Sequence, residues 1–102
     1  MPTDILRQIF DLVLSPQIKA ESLQEILEDY GSFLAEGSFP APQAARAGRI
    51  NKLLTSYFAT IFLAEMYRKT RPEAAEQIIE KGAEIQAQLL TSLRILMDLR
   101  PL

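Results

Sequence analysis

Residues 50–79, INKLLTSYFATIFLAEMYRKTRPEAAEQII, decide the fold. Ile50, Leu53, Leu54, Tyr57, Phe58, Ile61 and Ala64 recur at spacings of three and four, the period of a helix that buries one stripe. Phe62, Leu63, Met66 and Tyr67 fall outside that stripe. The second half of this helix is therefore apolar nearly all round and needs cover on several sides. The uncharged stretch between Lys52 and Glu65 includes Thr55, Ser56 and Thr60. It is shorter than the ~20 mostly apolar residues of a spanning helix, so the reading is a buried helix and no membrane partner.

Thr70, Pro72 and Glu73 announce a new helix: a Thr N-cap, a proline in the first turn, and a glutamate three residues after the cap. Ala75, Ile78, Ile79, Gly82, Ile85, Leu89, Leu90, Leu93, Leu96 and Met97 then fall on one face until the pattern stops near Arg100 and Pro101. Upstream, Pro42 suits a first helical turn, so the third helix is expected from about Pro42 to Lys69, some 40 Å at ~1.5 Å per residue. The two long helices meet at a tight reversal and predict an antiparallel hairpin. Counting outward from the reversal sets Gly82 near Phe58 and Ala59, which predicts a close crossing with an aromatic ring over the missing side chain.

Two shorter helices precede the hairpin. The first is expected from Asp4 to about Leu14, with Thr3 as N-cap, and ends at Ser15 because the residue before Pro16 is pushed out of the α region. The second carries a Ser22–Glu25 capping box, an apolar stripe of Leu23, Ile26, Leu27, Tyr30, Phe33 and Leu34, and a stop at Gly37. Gly31 weakens its middle by about 1 kcal/mol relative to alanine and marks a candidate break. No stretch alternates with period two, so no sheet is expected. The expected fold is an all-α, small four-helix bundle, residues 1–102 as one domain, with two shorter N-terminal helices packed on a long antiparallel hairpin.

Composition narrows the chemistry. The 102 residues are 48% hydrophobic and 24% charged, ordinary values for a globular domain. Cysteine is absent, which excludes disulfides, thiolate metal sites and thiol catalysis. Histidine is absent as well, removing the commonest general base and the commonest transition-metal ligand. No glycine-rich phosphate loop is present. The sequence offers no catalytic residue, metal site or cofactor motif, and the expectation is a non-enzymatic protein. The N-terminus carries no positive cluster and no long apolar run, which sets the expected compartment as the cytoplasm.

Carboxylates offer the one chemistry that competes with that reading. Glu73, Glu76, Glu80 and Glu84 lie on one strip of the fourth helix, and Glu21, Glu25, Glu28 and Asp29 mostly on the polar side of the second. A metal-dependent hydrolase built on these ladders is the remote alternative, but a solvated face explains the same pattern. Glu65 is the one acid of the third helix and is expected to pair with an arginine or lysine of a neighbour, the alternative being an unpaired buried acid.

Charge is segregated within a net of −2. Residues 1–41 hold two basic and seven acidic side chains, whereas residues 42–71 hold six basic and one acidic. Arg46, Arg49 and Lys52, spaced by three near a helix N-terminus, oppose the helix dipole and form the candidate partner-binding set. Two explanations stand: pairing with the acidic second helix, or service to an anionic partner, protein or nucleic acid. Overall acidity weighs against a general nucleic-acid binder.

A 102-residue globule has an expected diameter of about 34 Å, so helices of ~40 Å overhang it. Leu63, Met66, Tyr67, Ile95 and Leu99 are left as surplus apolar surface and form the candidate homodimer interface. The sequence therefore predicts a homodimeric adaptor or regulatory protein that binds another macromolecule, with a small nucleic-acid-binding regulator as alternative.

Overall fold

A computed structural model describes residues 2–37 and 39–97, with side chains from Asp4 onward. Four helices, α1 (Pro2–Leu14), α2 (Ala20–Ala35), α3 (Ala41–Arg68) and α4 (Pro72–Leu96), account for the fold, and no strand occurs among the described residues. Helix α1 packs on α2 and α4, α2 packs on α3, and α3 packs along α4. The bundle is thus two layers thick, the α3/α4 hairpin below and α1/α2 above, with dimensions of 45 × 31 × 19 Å. The longest dimension is set by the 28 residues of α3, about 42 Å at the helical rise. Helix α1 has 13 residues and α2 has 16, so neither spans the hairpin. No helix among the described residues is long and apolar enough to cross a membrane.

The core lies between the layers and follows the helical period. Leu6, Ile9 and Val13 come down from α1, Leu23, Ile26 and Tyr30 from α2, and they meet Ile50, Leu54, Tyr57, Leu89 and Leu93 of the hairpin. Burying each of the larger apolar side chains contributes on the order of 1.5–3 kcal/mol. No charged residue is buried with them among the described residues.

Helix starts differ from the sequence expectation in an instructive way. Helix α1 begins at Pro2, so Thr3 lies inside its first turn rather than at the cap, while Asp4 keeps its place near the positive end of the dipole. Helix α2 begins at Ala20 with Lys19 as a cap that makes no side-chain hydrogen bond, so the Ser22–Glu25 box does not form. The reason is tertiary: Glu65 of α3 reaches across and accepts the Ala20 N–H at 2.8 Å. At the hairpin turn, the N–H groups of Thr70 and Arg71 both donate to the Tyr67 carbonyl. That arrangement uses Thr70 to close α3, and α4 starts at Pro72, whose fixed φ suits a first helical position. Gly31 leaves α2 unbroken, and Gly37 ends the segment in the left-handed region at φ +70°.

The close crossing at Gly82 is present, one residue away from the expected register. A Cβ on Gly82 would stand 2.7 Å from the Thr60 methyl and 3.9 Å from the Tyr57 ring, in place of the expected Phe58 and Ala59. The aromatic ring beside the glycine is therefore Tyr57, and Thr60 makes the tightest approach.

Candidate functional site

The cover provided by α1 and α2 decides which parts of the hairpin remain open. Gln86 of α4 donates from Nε2 to the Val13 carbonyl at 2.8 Å, and Glu65 of α3 takes the Ala20 amide. The 15–19 connection therefore crosses the hairpin from α4 to α3. Beyond that strap, and over the whole outer side of the hairpin, α3 and α4 have no covering helix.

Helical geometry sorts the outer side of α3. Buried Ile50, Leu54, Tyr57 and Ile61 define its inner face, and at ~100° per residue Arg49, Lys52, Leu63 and Tyr67 point the opposite way. Arg46, Arg49 and Lys52 are all exposed, and none makes an ion pair with a described residue. The expected internal pairing with α2 is not formed: α2 packs on the inner side of α3, and its acids stand on the other side of the bundle. Arg46 and Arg49 instead form the lip of a groove of about 770 Å³ between α3 and α4, with Ala45, Ala87, Thr91, Ser92 and Ile95 as its floor and far wall. The small residues Ala45, Ala87 and Ser92 make the depression, because their side chains are too short to fill the space between the two helices.

The candidate interface residues divide between the two ends of the hairpin. Leu63, Met66 and Tyr67 stand exposed near its turn, Met66 at 57%, and Phe62 beside them is exposed and stacked on Phe58 at 5.9 Å. Ile95, 51% exposed, lies in the groove with Arg46 and Arg49. Gly82 faces Thr60, so Ile95 is thirteen residues of α4 beyond that crossing, about 20 Å away from it on the side opposite Leu63. Leu99 lies outside the described residues. The structure thus presents an apolar tip and a basic groove on one uncovered face.

Other sequence candidates resolve locally. Glu73, Glu76, Glu80 and Glu84 are exposed, and no group of three or more acids among the described residues is placed to hold a metal ion. Glu65 is half-buried and bonds a backbone amide instead of the expected cation. Of the aromatic residues, Tyr30 is fully buried and donates to the Ala47 carbonyl at 2.8 Å. Burial pushes its phenol well above the ordinary value, and Tyr57 shifts the same way for the same reason. Both are neutral donors at neutral pH.

One feature is not visible in the sequence. A second cleft, about 1060 Å³, opens where the 15–19 strap crosses the hairpin, with Leu14, Ile18, Ile61 and Ile79 as apolar walls. Leu14 is 50% exposed and Ile79 41%, although Ile79 sits on the α4 stripe that the helical period assigns to the core. The shortness of α1 and α2 relative to the hairpin is the signal that could have found it.

Comparison with known proteins gives no match to a family model, a curated sequence or a solved structure.

Proposed function

We propose that this chain is a non-enzymatic, homodimeric interaction protein of the cytoplasm that binds another macromolecule through the outer face of its helical hairpin. One observation supports the reading above the rest: a single uncovered face carries exposed Leu63, Met66 and Tyr67 at one end and the cations Arg46, Arg49 and Lys52, without ion pairs to described residues, at the other. Leaving large apolar side chains in water forgoes on the order of 1.5–3 kcal/mol each, and a two-fold contact recovers part of it with no second partner required. The dimer is centred on the tip, because Leu63, Met66 and Tyr67 there combine exposure with apolar character within less than two helical turns.

The groove suits a different occupant. Ala45, Ala87 and Ile95 provide an apolar floor, Thr91 and Ser92 provide hydroxyls, and Arg46 and Arg49 flank them. An acidic protein segment with an apolar anchor meets both demands, its carboxylates taking charge-assisted hydrogen bonds from the arginines. A nucleic-acid duplex is the second reading, favoured by the same three cations.

Sedimentation at tens of micromolar tests the first half: a dimer is expected, and Leu63→Glu with Met66→Glu yields a monomer of unchanged helicity. A monomeric wild-type protein overturns it. Capture from native extract tests the second half, the retained protein being acidic and lost when Arg46, Arg49 and Lys52 are reversed in charge. Retention that ignores the reversal overturns the assignment. Titration of a duplex at two salt concentrations separates the readings, since phosphate binding weakens steeply with salt and is lost in Arg49→Glu.

A further inference from the structure

We infer that the cleft under the 15–19 strap binds a small elongated amphiphile, an apolar chain with an anionic group at one end and an oxygen acceptor at the other. This site is separate from the outer hairpin face, and it accounts for the two exposed apolar side chains, Leu14 and Ile79, that lie away from that face.

Three properties of the cleft fix the ligand class. One strip of its wall is apolar, formed by Leu14, Ile18, Ile61 and Ile79, with Leu14 and Ile79 only partly covered by the protein itself, while Ser15, Gln17 and Gln86 make the rest polar. Its rim carries Lys19, Arg68 and Lys69, none of which makes an ion pair with a described residue. The acids at the rim are Glu21 and Glu65, and Glu65 already has one oxygen on the Ala20 amide. The balance is cationic, and an anion is the charge it accepts. Third, Tyr57 lines the cleft at 4% exposure, yet its hydroxyl makes no hydrogen bond to a described residue. The oxygen is not sealed off either, since no fully enclosed side-chain oxygen or nitrogen in the described structure lacks a partner. The Tyr57 hydroxyl, on a residue that lines the cleft and without a partner among the described residues, is a donor available to an acceptor there.

Position sets the length. Tyr57 and Arg68 are eleven residues apart on α3, about 16 Å along its axis. A ligand that satisfies both is a medium-length chain. It lies along Ile61 and Ile79, its anion at the Arg68 and Lys69 end and its far oxygen at Tyr57. A plain fatty acid meets the walls and the cations but leaves the tyrosine without an acceptor.

The test titrates the full chain with 10-hydroxydecanoate, decanoate and decyltrimethylammonium, followed by amide shifts and calorimetry. The hydroxy acid is expected to bind and to move amides of residues 14–20, 57–68 and 79. Decanoate binds roughly tenfold more weakly, the loss of one hydrogen bond, and the cation does not bind. Tyr57→Phe removes the difference between the two acids, while Arg68→Gln with Lys69→Gln weakens both. Tyr57→Phe breaks no protein hydrogen bond, and the ratio of the two acids on the wild-type protein reads the same contact without any variant. The Leu63→Glu, Met66→Glu monomer keeps the site, so a failed dimer leaves it standing. Absence of binding at millimolar acid, equal binding of the cation, or an acid ratio near one overturns the proposal.

Discussion

Glu65 of α3 holds the first turn of α2: its Oε2 accepts the Ala20 N–H at 2.8 Å, across forty-five positions of sequence. A helix start leaves its first N–H groups without intrahelical partners, and a carboxylate placed there also meets the positive end of the dipole. The contact does two things at once. It caps a helix that has no cap of its own, and it pins the strap that forms one wall of the cleft.

Glu65→Ala is therefore expected to cost about 1–2 kcal/mol, the range for loss of a helix cap. Glu65→Gln keeps an acceptor oxygen and costs less. Denaturant midpoints measure both, and hydrogen exchange at Ala20 should quicken in the alanine variant ahead of exchange in the core. Equal midpoints for all three proteins would show that the capping bond contributes nothing.

Glycine substitutions separate two of the three glycines in helix interiors, Gly31 and Gly82. A methyl on Gly31 meets nothing within 4 Å, so Gly31→Ala should stabilise α2 by about 1 kcal/mol through helix propensity alone. Gly82→Ala gains the same propensity but sets its methyl 2.7 Å from the Thr60 methyl, between α3 and α4. Overpacking of that kind costs about 1–3 kcal/mol, so the net effect is destabilising. Thr60→Ser removes the opposing methyl while keeping the hydroxyl that donates to the Ser56 carbonyl, and in that background Gly82→Ala should turn neutral or favourable. Thermal melts of the four combinations give the coupling directly.

The hairpin was legible because local pattern and tertiary packing agree along α3 and α4: the stripe from Ile50 to Ala64 is the face that is buried, apart from half-covered Leu53 and Phe58. The ends of helices were less legible. Ser22 and Thr70 carry the right residue types for N-caps, but Glu65, remote in sequence from Ser22, caps α2 at Ala20, and the Tyr67 carbonyl takes the Thr70 N–H into the end of α3. The exposure of Leu63, Met66 and Tyr67 followed from the surplus of apolar positions on one helix. The strap cleft did not, because it depends on where α1 stops relative to α4, a relation between Val13 and Gln86 that no local period encodes.

Alkaline pH tests the buried tyrosines. Tyr30 is fully buried with its hydroxyl on the Ala47 carbonyl, and burial raises its pKa, and that of Tyr57, above the ordinary 10.0. The unfolded chain loses these protons from about pH 10. The folded chain keeps them, so above that pH the unfolded state binds fewer protons and stability falls as pH rises. The contribution is fully present below pH 10, and each tyrosine still protonated in the fold steepens the loss by up to about 1.4 kcal/mol per pH unit. Tyr30→Phe should lower stability at pH 7 by about 1 kcal/mol, the value of one buried hydrogen bond, yet lose less than the wild type between pH 10 and 11. Urea midpoints at pH 7, 9, 10 and 11 read both effects. An alkaline slope in Tyr30→Phe as steep as in the wild type would mean that the phenol ionises as readily inside the bundle as outside it.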